Sequence, residues 1–220
     1  MKLQMRTHNN PGILITFCGL DGSGKTTQIK MIHDYLINMS LPVFLTKQPT
    51  DFVRNSEIFR TYMDMPNHDA YDYRALSLLC ASDRVQHTNR VILPELEQGN
   101  FVLSDRYFYC GIANLKARGY SRDTWVYDVG QFIINPDISF FLDVPADVAI
   151  ARVRGRPQEK DRFIDEDFQY RLRDEYLKIA GECDGIVLDS HEDPAETFLY
   201  IKAEVDKILM KRTRFEGRIS

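Results

Sequence analysis

Ile13-Leu-Ile-Thr-Phe-Cys18 runs directly into Gly19-Leu-Asp-Gly-Ser-Gly-Lys-Thr26, and the chain goes on to the repeat Ile29, Ile32, Leu36, Met39. The first piece is a near-continuous apolar run, as a strand buried on both faces of a parallel sheet requires. The last is spaced three, four and three, which puts its four side chains on one helix face. The piece between matches G-x-x-x-x-G-K-[ST] in full. Its glycines let the backbone curl until successive N–H groups point inward at phosphate oxygens, and the helix that follows adds the positive end of its dipole. Phosphate binding is therefore expected at Gly19, Asp21, Gly22, Ser23, Gly24, Lys25, Thr26 and Thr27. Lys25 is expected to reach the β- and γ-phosphates of a nucleoside triphosphate, and the Thr26 hydroxyl to ligate Mg²⁺.

Working outward, similar strand runs stand at Pro42–Thr46, Phe101–Ser104, Ile138–Val144 and Gly185–Leu188, with helical patterns between them. Phe198, Ile201, Val205 and Ile208 repeat the helix spacing near the C-terminus. Five strands with helical crossovers predict a three-layer α/β fold around a parallel sheet. At 220 residues the chain suits one domain (1–220, core 12–210), long enough to bury a real core. The net charge of −4 argues against a nucleic-acid polymer as partner. The longest apolar run falls far short of the roughly 20 residues of a membrane span, and Met1 to Gly12 has no apolar core to serve as a secretory signal. Cys18, Cys80, Cys110 and Cys183 stand apart without metal-site spacing, and read as reduced cytosolic thiols.

No guanine-reading N-K-x-D segment follows the phosphate loop, and the other motifs point to a small kinase. Asp105-Arg-Tyr107 closes the third strand. An acidic residue there suits a Mg²⁺–water ligand, and Arg106 beside it can neutralise a phosphate; taken alone, the two could be a buried ion pair. Arg152-Val-Arg-Gly-Arg156, Lys160 and Arg162 gather five cations within eleven residues, broken by Gly155 and Pro157. They read as a cationic lid (about 152–165) over a transferring phosphoryl group, with a solvated basic loop as the bland reading. A hydroxyl acceptor needs a general base, whereas an acceptor phosphate is already anionic. After the second strand stands Lys47-Gln-Pro-Thr50, with no carboxylate before Asp51, and the five histidines lie away from these motifs in sequence. A phosphate acceptor is favoured over a nucleoside acceptor and over a non-catalytic nucleotide binder.

Together these motifs resemble the thymidylate kinase family of P-loop nucleoside monophosphate kinases, from about Ile13 to Leu209. The resemblance rests on Phe17 to Thr27, on Asp105-Arg-Tyr107, on Asn135-Pro-Asp-Ile-Ser-Phe-Phe-Leu-Asp-Val144, and on Asp161-Arg162 with Phe168-x-x-Arg-x-Arg-x-x-Tyr176. It implies a P-loop NTPase sheet in the order 2-3-1-4-5, ATP with Mg²⁺ at Thr26 and Asp105, a homodimer, and conversion of dTMP to dTDP. Lid arginines, among them Arg154, Arg156 and Arg162, would join Lys25, Asp105 and Arg106 in catalysis. By the same resemblance Asp21 holds the acceptor sugar, Arg106 and Lys47 its phosphate, and Arg84 reads its base. The sequence departs from the family at Cys80, where an aromatic residue usually stacks on the base, and at Asn114, where a tyrosine crowds the sugar 2′ position. These departures leave another or a modified pyrimidine monophosphate open as acceptor.

Overall fold

The computed structural model describes residues 3–66, 70–160 and 163–216, the side chains of 212–216 excepted. Five strands, β1 (Ile13–Cys18), β2 (Val43–Lys47), β3 (Phe101–Asp105), β4 (Ile138–Asp143) and β5 (Ile186–Asp189), form one parallel sheet in the order β2-β3-β1-β4-β5. Each lies within one residue of the boundaries expected from sequence. The helices are α1 (Lys25–Asn38), α2 (Asp51–Arg54), α3 (Glu57–Asp64), α4 (Tyr73–His87), α5 (Leu93–Glu97), α6 (Phe108–Ala117), α7 (Trp125–Gly130), α8 (Ala146–Arg154), α9 (Glu166–Glu182) and α10 (Pro194–Glu216).

Successive strand residues point to opposite faces of a sheet, and here each face has its own core. Ile15, Phe17, Phe101, Leu103, Phe140 and Leu142 pack with Ile29, Ile32 and Leu36 of α1 and with Ile201 and Val205 of α10. Leu14, Cys18, Val102 and Phe141 turn to the other face, against residues of α4, α6 and α9. Burial on both faces is confined to β1, β3 and β4. At the sheet edges Leu45 and Val187 are exposed, because one face of each edge strand extends past the covering helices. Met39, expected on the buried face of α1, is exposed as well; the helix stops at Asn38 and Met39 is its cap.

Parallel register brings the carboxyl ends of the strands to one edge, where open α/β sheets bind ligands. Lys47 of β2 pairs with Asp105 of β3, and Asp105 with Phe17 of β1. The phosphate loop leaves β1 at this edge, between the ends of β3 and β4.

Candidate active site

A cavity of about 770 Å³ opens over that edge. Its floor is Leu20, Asp21, Gly22, Gly24, Lys25, Thr26 and Thr27. Gly24, with φ of 89°, turns the chain into α1, whose first turn has neither a side-chain cap nor an acidic residue. Its leading amides are thus left for an anion. Gly22, also at φ 89°, sits so close to α8 that a Cβ there would lie 2.3 Å from the Ala149 carbonyl oxygen. Gly19 and Ser23 are set back from the cavity wall and shape the loop: Ser23 donates from its amide to Leu20 (3.2 Å) and accepts at its carbonyl from the Ser190 hydroxyl (2.8 Å). The Lys25 ammonium donates to the carbonyls of Gly19 (3.1 Å) and Leu20 (2.6 Å). Burial, and then the nearby Arg106 guanidinium, lower its pKa to about 8, against the opposing pull of Asp21 and Asp105.

Arg106 follows β3 directly and is held in the left-handed region at φ 68°. That conformation costs a non-glycine residue about 1–2 kcal/mol. It is fixed from both sides: the Arg106 amide donates to Phe17 (2.9 Å), and its carbonyl accepts from the Ser104 hydroxyl (2.7 Å). The guanidinium then reaches Asp21 (2.5 Å) and the Tyr176 hydroxyl (3.1 Å). Burial pulls its pKa down, yet the Asp21 carboxylate and its other neighbours more than offset this and hold it well above the ordinary value. Asp105 meets the Lys47 ammonium at 3.5 Å through one oxygen, while the other, Oδ1, is buried with no hydrogen-bond partner. A strained cation and a half-unpaired carboxylate thus stand on consecutive residues at this edge, as they do where a fold is arranged to meet a ligand.

The other half of the cavity, where the acceptor is expected, is a slot between α4 and α6. Cys80 and Arg84 line it from α4, and Asn114 lines it from α6. Arg84 is buried rather than a surface residue of its helix; it donates to the Cys80 carbonyl (3.1 Å) and lies against Gly111, where a Cβ would be 3.4 Å from its Nη1. Burial pushes the Cys80 thiol up from its ordinary value, so a neutral, small side chain faces the slot. Asn114 anchors its amide on the Cys110 carbonyl (2.7 Å).

The lid cations part company. α8 continues through Arg154, so the first of them are helical, and two already have oxygen partners. Arg152 turns away to the carbonyls of Gly22 (3.3 Å), Ser190 (3.1 Å) and His191 (2.5 Å). Arg154 is exposed and pairs with Glu166 (2.7 Å), off the cavity wall. Arg156, just past the helix end, does line the cavity. Arg162 and Asp161 lie outside the described residues. The loop therefore begins at Gly155, three residues later than the cation cluster suggests.

Two features escaped the sequence reading. Arg54, at the end of α2, lines the cavity and donates to the carbonyls of Pro49 (2.7 Å) and Gln48 (3.3 Å). Burial, and then the Arg106 charge, depress its pKa against the opposing pull of Asp105, Asp21 and Asp51. A lone arginine in a four-residue helix leaves no periodic trace in the sequence. Also, one histidine does not lie away from the motifs: His87 bonds Gln48 (3.0 Å) and Thr46 (2.8 Å), behind the end of β2. Burial lowers its pKa, and the Gln48 amide must donate to Nδ1, so the ring is neutral and bonds Thr46 through Nε2. Asp83 likewise spends its carboxylate on the amide (2.9 Å) and the hydroxyl of Thr50. The segment after β2 is thus braced by α4.

Comparison with known proteins agrees with this geometry. A family model described as thymidylate kinase matches residues 17–198. A probable thymidylate kinase of Pyrococcus horikoshii is 37% identical over 173 residues, 77% of this chain and 83% of the relative. One from Thermococcus kodakarensis is 36% identical over 173 residues (76% and 84%). A thymidylate kinase of Carboxydothermus hydrogenoformans is 35% identical over 199 residues (87% and 95%). The five-strand order, the loop on Lys25 and the arginine beyond β3 are the frame on which those matches lie, and this chain belongs to the thymidylate kinase family.

Proposed function

We propose that the protein transfers the γ-phosphoryl group of ATP to the phosphate of a deoxynucleoside monophosphate, foremost dTMP, giving ADP and dTDP. The observation that carries this reading is one cavity in which the phosphate loop faces Arg106, Arg54 and Lys47, cations placed for a second phosphate. An acceptor phosphate is anionic at neutral pH and needs no general base, so the chain's contribution is positioning and charge neutralisation. Loop amides and Lys25 hold the donor phosphates. Arg106, Arg54 and Lys47 grip the acceptor phosphate, and Arg156 extends the cationic wall from the lid side. Arg84 and Asn114 orient base and sugar.

Mg²⁺ fits the oxygen donors present. Asp105 has a buried, unpartnered oxygen and Thr26 faces the cavity. Among the described residues no group of three or more His, Cys, Asp and Glu side chains gathers that could hold the ion alone, which suits a metal whose other ligands are phosphate oxygens and water. When bound it neutralises charge on the phosphate oxygens.

Family membership supports a homodimer. Four free thiols support a reducing cytoplasmic setting, and among the described residues no helix is long and apolar enough to cross a membrane. ADP release with ATP, Mg²⁺ and a panel of monophosphates and nucleosides tests the reading. Turnover with dTMP and none with thymidine is expected; turnover of nucleosides alone overturns it, as does ATP binding without acceptor-dependent turnover.

The pKa of Lys25 adds a pH signature. With its pKa at about 8 in the free protein, the ammonium loses its proton as pH rises through that value. Donor phosphates favour the charged form, so binding raises the pKa and takes up a proton. ATP affinity is expected to hold below about pH 7 and to weaken by up to about tenfold per unit above 8. Titration calorimetry in buffers of different ionisation heat checks this: proton uptake at about pH 8.5, little at about pH 6.5, and none attributable to this site in Lys25→Met.

A further inference from the structure

The slot between α4 and α6 does not end at Arg84. Cys110, Asn114 and Arg118 follow one another at four-residue spacing along α6, and all three line the cavity. Arg118 caps the helix, its amide still bonded to the Asn114 carbonyl (3.2 Å), so it continues the same face. Eight residues of helix carry it about 12 Å from Cys110, away from the phosphate end.

Its surroundings are aromatic. The guanidinium carbon lies 4.2 Å from the Phe168 ring centroid, 4.5 Å from that of Tyr73 and 5.1 Å from that of Tyr62. Tyr73 is itself stacked on Tyr120 at 6.3 Å, which in turn lies under Arg74, held by Asp123 (2.5 Å). The guanidinium is therefore packed among three aromatic rings, which attract its charge but offer little to its N–H donors.

Arg106, Arg54 and Arg84 at the same cavity each bond a carboxylate or carbonyl oxygen. Arg118 does not: among the described residues the Tyr73 hydroxyl is a polar neighbour, and Nε is buried with no partner. A half-buried cation at the far end of the slot, with one N–H unpartnered and, among the described residues, only the Tyr73 hydroxyl as a side-chain partner, is suited to an oxygen acceptor.

Resting on the kinase reading above, we propose that Arg118 is a specificity-determining residue that reads an oxygen-bearing substituent on the acceptor base. The acceptor class then extends to pyrimidine monophosphates carrying a hydroxymethyl or carboxyl group where thymine carries its methyl. With the phosphate at Arg106 and the ring at Arg84, whatever the base carries beyond the ring is directed along the slot toward Arg118. The small Cys80 side chain leaves the passage open.

Steady-state kinetics with dTMP, 5-hydroxymethyl-dUMP and 5-carboxy-dUMP test this in the wild type, Arg118→Gln and Arg118→Lys, with melting temperatures as a check on folding. The wild type is expected to use both substituted acceptors at kcat/KM within tenfold of that for dTMP. Arg118→Gln should lower kcat/KM for the carboxyl acceptor at least tenfold, through KM, while dTMP and the KM for ATP change less than threefold. Arg118→Lys should recover part of the loss. Preference of the wild type for dTMP by tenfold or more over both substituted acceptors overturns the inference without need of a variant. An equal fall for all three acceptors in Arg118→Gln also overturns it, leaving only a packing role. No turnover of dTMP or either analogue overturns the kinase reading itself.

Discussion

Replacing Lys25 with methionine is expected to lower kcat by about three orders of magnitude while leaving the protein folded. The ammonium is buried, and in the free protein its donors go to two carbonyls of its own loop. Methionine keeps the length and apolar body of the side chain, so the packing loss is small. Burial is a cost to the charge, shown by the pKa near 8, so its removal does not deprive the fold of a stabilising ion pair. The chemistry loses a donor aimed at the oxygens on which charge develops, and loss of one such preorganised group commonly costs about 10²–10³ in rate. A melting temperature within a few degrees of wild type, with single-turnover ADP formation slowed about 10³-fold, is the expected pair of results. A variant with more than a tenth of wild-type kcat would remove Lys25 from the transition state.

Arg106 separates strain from function. Its φ of 68° suits glycine and penalises any other side chain, and its guanidinium is the hub between Asp21 and Tyr176. Arg106→Ala keeps the backbone penalty and loses the ion pair. Arg106→Gly loses the ion pair and relieves the backbone. The glycine variant is expected to be more stable than the alanine variant by about 1 kcal/mol. Both should be equally inactive, with kcat/KM for the acceptor down about 10³–10⁴-fold and ATP affinity nearly unchanged. Chemical denaturation and acceptor titration separate these two outcomes. Equal stability of the variants would show that the turn is not strained.

Much of this was legible in the sequence because it is local. The strand–loop–helix unit from Ile13 to Leu36 is specified by contiguous residues, and the central strands announce themselves by apolar runs. Arg106 was named from the motif that follows the third strand and Lys47 from the family resemblance, and both line the cavity. What stayed hidden depends on packing between distant segments. Arg54 acquires meaning only when α2 folds over the end of β2, and His87 only when α4 lays it against Gln48. Arg118 was within reach, since it shares a helix face with Asn114. The end of α8 was also there to be read: Gly155 caps it, which separates Arg154, tied to Glu166, from Arg156 on the cavity wall.

The Asp21 carboxylate is a resident anion already seated on the Arg106 guanidinium, one of the cations proposed to take the acceptor phosphate. A tethered competitor acts at an effective concentration set by geometry rather than by the medium, so stray chloride or inorganic phosphate meets an occupied cation. Only an anion that brings further anchoring of its own, through a sugar and a base lodged between α4 and α6, has the binding energy to displace the carboxylate. Selectivity for a nucleotide over a bare phosphate is in this way built into the Asp21–Arg106 pair before any base is read.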